Sequence, residues 1–199
     1  MRTRQAVRAD LDAIADVWVD AFSGDPFLRW MGNADDTSWP AFGRAWLSFI
    51  AGMCFERGHM IVSEPTGAAV AWIPPDLSMM GPGDMDRGAA IIAEHAGEAR
   101  RDEAVTTMMA AGSHSSPEPH WTLQYIGVGS ALQGQGVGAA LVEPYLRRCD
   151  DDGLPCGLVS SNPRNVPFYE RSGFTVTAEV PNPDGSATLR PMLRHPSSD

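Results

Sequence analysis

A predicted strand from Trp121 to Val128, a turn holding Gln133-Gly134-Gln135-Gly136-Val137-Gly138 and a predicted helix from Val137 to Cys149 follow one another directly in this chain. Alternating glycines at a strand-to-helix junction let successive backbone amides point into one concavity, and the helix start adds roughly half a positive charge. The loop is a place where a diphosphate binds to main chain alone. A polyanion would need such a local device here, because the 199 residues carry a formal net charge of −10 and include no lysine. A Walker-type loop, whose lysine reaches the phosphates, is thereby excluded. Gly134-Gln135-Gly136-Val137-Gly138-Ala139 also fits the dinucleotide pattern Gly-x-Gly-x-x-Ala. That pattern wants a ribose-binding acid about 20 residues on, at the end of the next strand. Val159, Ser160 and Ser161 stand there, and too little chain follows for a doubly wound sheet.

Hydrophobic residues make up 43% and charged residues 20% of the chain, the usage of a folded globular protein rather than a disordered or fibrous one. No apolar stretch approaches the ~18 residues of a membrane span, and the Arg-bearing segment Met1 to Asp10 has no apolar run behind it. The expectation is a cytoplasmic protein without a membrane partner. Its acidity argues against nucleic acid or anionic lipid, since neutralising phosphates needs a basic face. Cys54, Cys149 and Cys156 are odd in number and lack Cys-x-x-Cys spacing, so neither a disulfide framework nor a metal site is expected.

The remaining pattern is mixed α and β. Thr3 to Val7 reads as a strand. Asp10 is placed to cap a helix carrying Leu11, Ile14, Ala15, Trp18 and Phe22, which Gly24 to Pro26 ends. Ser38 and Pro40 open a second helix with the stripe Phe42, Trp46, Phe49, Ile50 and Met53, closed by Gly58. Met60 to Ser63 and Ala68 to Ile73 form a hairpin, and one or two helices start at Asp84 or Asp86 and end near Gly112. Ser113 to Pro119 is the most linker-like piece of the chain. Pro155 to Ser161 is a strand; Asn165 caps a short helix stopped by Gly173; Phe174 to Val180 and Ala187 to Leu193 make a last hairpin around Asp184-Gly185.

Leu123-Gln124-Tyr125-Ile126-Gly127-Val128 followed by the glycine loop resembles the Gln/Arg-x-x-Gly-x-Gly/Ala signature of the GNAT superfamily of acetyl-CoA-dependent N-acetyltransferases. The run Ser161-Asn162-Pro163-Arg164-Asn165-Val166-Pro167-Phe168-Tyr169 adds a second match, similar to the antibiotic-modifying puromycin N-acetyltransferases. The likeness covers roughly residues 119 to 195. It implies a single mixed α/β domain over 1–199, with a mostly antiparallel sheet flanked by helices and one splayed parallel strand pair. Residues 1–118 would form the acceptor-binding half and 119–199 the acetyl-CoA-binding half. Pantetheine would lie in the splay, its amides pairing with ladder groups that a bulge leaves free. The residues implied for acetyl-CoA are Ile126, Gly127, Val128, Gln133, Gly134, Gln135, Gly136, Val137, Gly138, Ala139, Asn165, Phe168 and Tyr169.

Acetyl transfer to an amine needs a neutral nitrogen, a stabilised oxyanion and a proton for the departing thiolate. The resemblance assigns the oxyanion to the main-chain N–H of Val128 at the bulge. Tyr169 is the candidate acid: one helical turn after Asn165 it shares that residue's face, and a phenol of pKa about 10 is protonated at neutral pH. The proton acceptor is open between Asp25, His120, Glu103 and water, and where the antibiotic-modifying branch has an acid this chain has Val159. No thiol lies beside a base, and the Gly-x-Ser-x-Gly elbow of hydrolases is absent, so direct transfer in a ternary complex is expected. Phe22, Asp25, Phe27 and Trp30, around the end of the first helix, are the candidate walls for a small-molecule amine. A peptide or protein N-acetyltransferase and a non-catalytic acyl-CoA-binding regulatory module are the alternatives, and self-association is left open.

Overall fold

The computed structural model describes residues 2–197. Strand β1 (Arg2–Gln5) leads through a 3₁₀ turn into α1 (Leu11–Ala21), then α2 (Pro26–Met31), α3 (Trp39–Arg57) and the hairpin β2 (His59–Glu64) and β3 (Ala68–Ile73). Helices α4 (Asp84–Ala96) and α5 (Glu98–Gly112) precede β4 (Trp121–Val128). After it come α6 (Val137–Asp151), β5 (Cys156–Ser160), α7 (Val166–Glu170), β6 (Thr175–Val176), β7 (Val180–Pro181) and β8 (Thr188–Arg194). The eight strands form one sheet in the order β1-β2-β3-β4-β5-β8-β6, with β7 also on β8. Every pairing is antiparallel except β4 with β5. This is the mixed α/β architecture that the resemblance implies, a mostly antiparallel sheet with one parallel pair.

Strand β3 shows why the sheet sits between two helical layers. All six of its residues are buried, the mark of a strand covered on both faces. Its side chains alternate with the pleat: Ala69, Ala71 and Ile73 join a core with α1, α2 and α3, whereas Ala68, Val70 and Trp72 join one with α6 and α7. Helix α3 supplies the apolar stripe that its spacing predicts, with Phe42, Trp46, Ile50 and Met53 buried. Among the described residues no helix is long and apolar enough to cross a membrane.

Two local expectations change. Helix α2 is absent from the sequence reading, although Asp25-Pro26 spells an N-cap followed by a proline at the first helical position. Asp10 does not cap α1 with its side chain. A 3₁₀ turn over Arg8–Asp10 comes first, so the free donor is Val7 N–H, which gives its hydrogen bond to Asp10 Oδ2 at 2.7 Å. The same carboxylate takes both Arg4 guanidinium nitrogens at 2.7 and 2.8 Å. The Arg4 bonds and the Val7 bond hold Asp10 at about 2, below the ordinary carboxylate value. A depressed acid stabilises the fold above its unfolded value of about 3.9 and loses that contribution as pH falls through its folded value. Asp10→Asn is expected to cost about 1 kcal/mol at pH 7. In urea unfolding measured against pH, its difference from the parent should shrink from about pH 4 toward 2.

Candidate active site

Strands β4 and β5 pair at only two positions, Trp121 with Cys156 and Thr122 with Gly157. Beyond these β4 runs on to Val128 and β5 to Ser160 with no ladder between them, so the parallel pair opens toward the C-terminal ends of both strands. A bulge on β4 redirects the strand at this opening. Against β3, Ala71 lies opposite Tyr125 and Trp72 opposite Leu123, which leaves Gln124 as the extra residue. An extra residue bends a strand and exchanges its faces. Before it, Trp121 and Leu123 face the α6–α7 core; after it, Ile126 and Val128 do, while Tyr125 and Gly127 turn toward α1. The sequence reading set the bulge at Val128. The structure sets it at Gln124, and Val128 lies in register with Ala68.

The glycine loop closes the open end. Gly134 and Gly136 take φ of +74° and +78°, with open space where a side chain would begin. That left-handed backbone is one that a residue with a Cβ adopts only at a cost, which is why glycine stands at both places. Gln133 Nε2 donates to the carbonyl of Val128 at 2.9 Å, and Gln135 Nε2 to that of Ala131 at 2.9 Å, so both glutamines hold the loop's own backbone. Asp20 of α1, which the sequence reading passed over, accepts from Ser130 N–H at 2.6 Å and ties the loop to the first helix. Gln133, Gly134, Gln135, Gly136 and Ala139 are exposed; Val137 and Gly138 are half-buried. A Cβ at Gly138 would lie 3.6 Å from Phe168 Cζ, 3.7 Å from Val128 Cγ2 and 3.8 Å from Ile126 Cδ1. Strand β4, the start of α6 and α7 therefore converge at Gly138, beside the gap and next to the glycine loop.

Asn165 and Tyr169 part company. Asn165 is exposed and makes no side-chain cap; Asn162 does that work, its side chain accepting from Arg164 N–H at 3.1 Å. Pro163 starts a 3₁₀ turn ahead of α7, which moves the free donor upstream of the place the sequence suggests. Tyr169 is 8% exposed, with its ring edge-on to Phe168 and Phe174. Burial, with the charge of Asp25 as a second cause, pushes its phenol well above the ordinary value, so it is a hydrogen-bond donor throughout the working range.

The residues assigned to the acceptor divide into two groups. Phe22 packs on Tyr125 with ring centres 5.4 Å apart, and Tyr125 takes a hydrogen bond from Trp46 Nε1 at 3.1 Å. Phe27 and Trp30 are 3% and 8% exposed and pack on each other. Trp30 Nε1 donates to Asp184 of the β7–β8 turn at 2.9 Å, and the Arg100 guanidinium lies over its ring. Asp25 is 2% exposed. Its Oδ1 accepts from Leu28 N–H at 2.9 Å, and its Oδ2 accepts from the hydroxyl of Ser161, which directly follows β5, at 2.5 Å. Burial raises this carboxyl above the ordinary range against the pull of those bonds. Tyr125 and Ser161 carried no role in the sequence reading. The face reversal at Gln124, which turns Tyr125 toward α1, could not be read from an alternating pattern.

His120 and Glu103 lie elsewhere. His120 Nδ1 is 2.7 Å from the carbonyl of Glu118, and the ring lies beside Gly157, where β4 and β5 are still paired. Glu103 is 3.7 Å from Arg100. Val159 is 42% exposed on β5.

Residues 98–192 match the acetyltransferase (GNAT) domain family. An uncharacterized N-acetyltransferase of Schizosaccharomyces pombe is 37% identical over 81 residues, 40% of this chain; the aligned part is 33% of that relative, so the chain spans about a third of its length. The 5-NmdU N-acetyltransferase of Pseudomonas phage PaMx11 is 29% identical over 105 residues, 53% of this chain and 70% of the phage protein. Among solved structures, an acetyltransferase of Corynebacterium glutamicum described as histone acetyltransferase HPA2 and related acetyltransferase superposes with a TM-score of 0.70 at 25% identity, over 99% of this chain and 97% of that one. Arylalkylamine N-acetyltransferase 2 of Aedes aegypti does so with a TM-score of 0.66 at 12% identity, over 98% and 99%. The splayed strand pair, the glycine loop and these likenesses agree: the chain takes the GNAT fold, and its residues 98–192 match the acetyltransferase (GNAT) domain.

Proposed function

We propose that the chain transfers the acetyl group of acetyl-CoA to the primary amine of a small molecule by direct attack in a ternary complex. The observation that carries this reading is the gap between β4 and β5, unpaired beyond Thr122 and Gly157, with the glycine loop and the start of α6 at its mouth. The residues fit the donor. The β5-facing edge of β4 has no strand partner along Leu123 to Val128, which suits the amides of a pantetheine arm. Gly134 to Gly138, at the head of a 15-residue helix, suit a pyrophosphate without any lysine. The N–H of Val128 would stabilise the oxyanion, and Tyr169 would donate to the departing sulfur. Half-buried Phe22 and Tyr125, beside Asp25, support an amine carried on an apolar body.

Calorimetric titration with acetyl-CoA, followed by thiol release against arylalkylamines, polyamines and short peptides, tests the reading. Heat with acetyl-CoA and turnover of a small amine are expected; no heat ends it. Gly136→Ala gives a sharper check. Alanine held in left-handed backbone costs about 1–2 kcal/mol; the exposed loop relaxes part of that strain in the free chain, so the melting temperature should drop by no more than about 2–4 °C, and takes it on again around the pyrophosphate, so acetyl-CoA affinity should fall about tenfold.

A further inference from the structure

We infer that Ser161 and Asp25 form the proton-accepting pair for the acceptor amine, Ser161 touching the ammonium and Asp25 taking the proton behind it. The inference rests on the transferase reading above.

Asp25 is the buried acid of this region, and its bonding has two separable parts. Oδ1 accepts from Leu28 N–H and so caps α2; Oδ2 accepts from Ser161 Oγ. A cap does not need burial: Asn162 caps the turn ahead of α7, accepting from Arg164 N–H, while only half-buried. The hydrogen bonds to Asp25 come from neutral donors, and no arginine or histidine among the described residues pairs with it. A buried carboxylate without a cation is costly, and a cationic substrate is the partner that would relieve the cost.

Position points the same way. Ser161 directly follows β5 at the open end of the β4–β5 gap and is half-buried where Asp25 is buried, so it is the more accessible residue of the pair. Asp25 arrives from the α1–α2 connection, and their 2.5 Å bond therefore joins the N-terminal segment to the strand that forms one lip of the gap. The titratable groups that face Asp25 are the phenols of Tyr125 on β4 and Tyr169 on α7, both raised further by its charge. Arg29 on the next turn of α2 is turned away, to the carbonyl of Ser23 and to Asp36.

Ser161 Oγ takes one proton from the substrate ammonium and passes its own to Asp25 Oδ2. The freed nitrogen lone pair forms the C–N bond at the thioester carbon. The C–S bond breaks as Tyr169 gives its phenolic proton to sulfur, and the second proton shed by nitrogen replaces it. Asp25 releases its proton to solvent when the amide leaves. Burial raises Asp25 above the ordinary carboxylate value, which makes its ionised form a stronger proton acceptor.

Three variants test the pair, assayed with the fastest amine of the panel and by calorimetry of that amine on the enzyme–CoA complex. Asp25→Asn keeps an oxygen for Leu28 N–H; it should lower kcat/KM for the amine about 30-fold, with the acetyl-CoA Kd within about twofold of the parent. Ser161→Ala should lower it about tenfold, and the double variant should be no worse than Asp25→Asn alone, as expected for residues acting in series. Parent kcat/KM should show an acid limb above the ordinary aspartate value. Ser161→Ala should move that limb to higher pH, because it removes a bond that favours the ionised form, and Asp25→Asn should abolish it. Tyr125 and Tyr169, protonated throughout, contribute no limb in that range. The pair is refuted by a Ser161→Ala enzyme matching the parent in rate and pH profile, or by an Asp25→Asn loss matched by an equal loss of acetyl-CoA affinity. It is also refuted if the parent enzyme–CoA complex gives no heat with any amine. Acetyl-CoA binding, measured apart, judges the transferase reading on its own.

Discussion

Tyr169→Phe is expected to lower kcat about 10²-fold or more while leaving acetyl-CoA affinity within about twofold. The variant removes one oxygen and keeps the ring. Phenylalanine retains the edge-on packing against Phe168 and Phe174, at centre distances of 5.1 and 6.1 Å, so folding stability should hold. Only the donor to sulfur is lost. Burial and the charge of Asp25 both push the phenol upward, which keeps it protonated but makes it a reluctant acid. Proton transfer to Asp25 cancels the second of these causes, so Tyr169 becomes a better donor as the thiolate departs. Stopped-flow measurement of thiol release, with calorimetry of acetyl-CoA on the same preparations, reads both quantities. Unchanged turnover in Tyr169→Phe would remove the residue from the chemistry.

What the sequence made legible follows from the range of the signals it carries. Trp121 to Val128 and the helix from Val137 were readable because local periodicity and the glycine punctuation agree there. The splay was implied by a resemblance, and its cause is a single extra residue, Gln124, that no period of two can reveal. Asn165 and Asp10 were read as caps by residue type. In both places a 3₁₀ turn ahead of the helix moved the free N–H upstream, to Arg164 and to Val7. The acceptor side was the least legible part. Asp25 and Ser161 are separated by 136 residues and meet only because α2 and the end of β5 do. Nothing local to either residue announces the other. Phe22, Phe27 and Trp30 look alike as aromatic neighbours, yet Phe22 stands against Tyr125 while the other two pack on each other and Trp30 reaches α5 and the β7–β8 turn.

Gly127→Ala should be the most damaging small substitution on β4, lowering stability by about 2–3 kcal/mol. Gly127 lies in register with Ala69 of β3, and the indole of Trp18 lies across the two of them. A Cβ at Gly127 would overlap Trp18 Cδ1 outright, with Trp18 Nε1 at 3.1 Å and the Ala21 methyl at 3.3 Å. Trp18 has nowhere to go: it is fully buried, its Nε1 donates to the carbonyl of Ala69 at 3.3 Å, and its ring lies 5.4 Å from that of Tyr125. Relief must come from moving β4 off α1 or from shifting Trp18 into Tyr125, and either displaces the α1 side of the gap. For a chain of this length each kcal/mol lost lowers the melting temperature by about 2–4 °C, so a drop of about 4–12 °C is expected in a thermal melt. Gly138→Ala is the matched control, since its Cβ would make only ordinary contacts at 3.6 Å and beyond and sits inside a helix where alanine is favoured. If both variants melt together, close contact with Trp18 is not what holds Gly127 in place, and the tight seating of β4 on α1 that frames the gap loses its support.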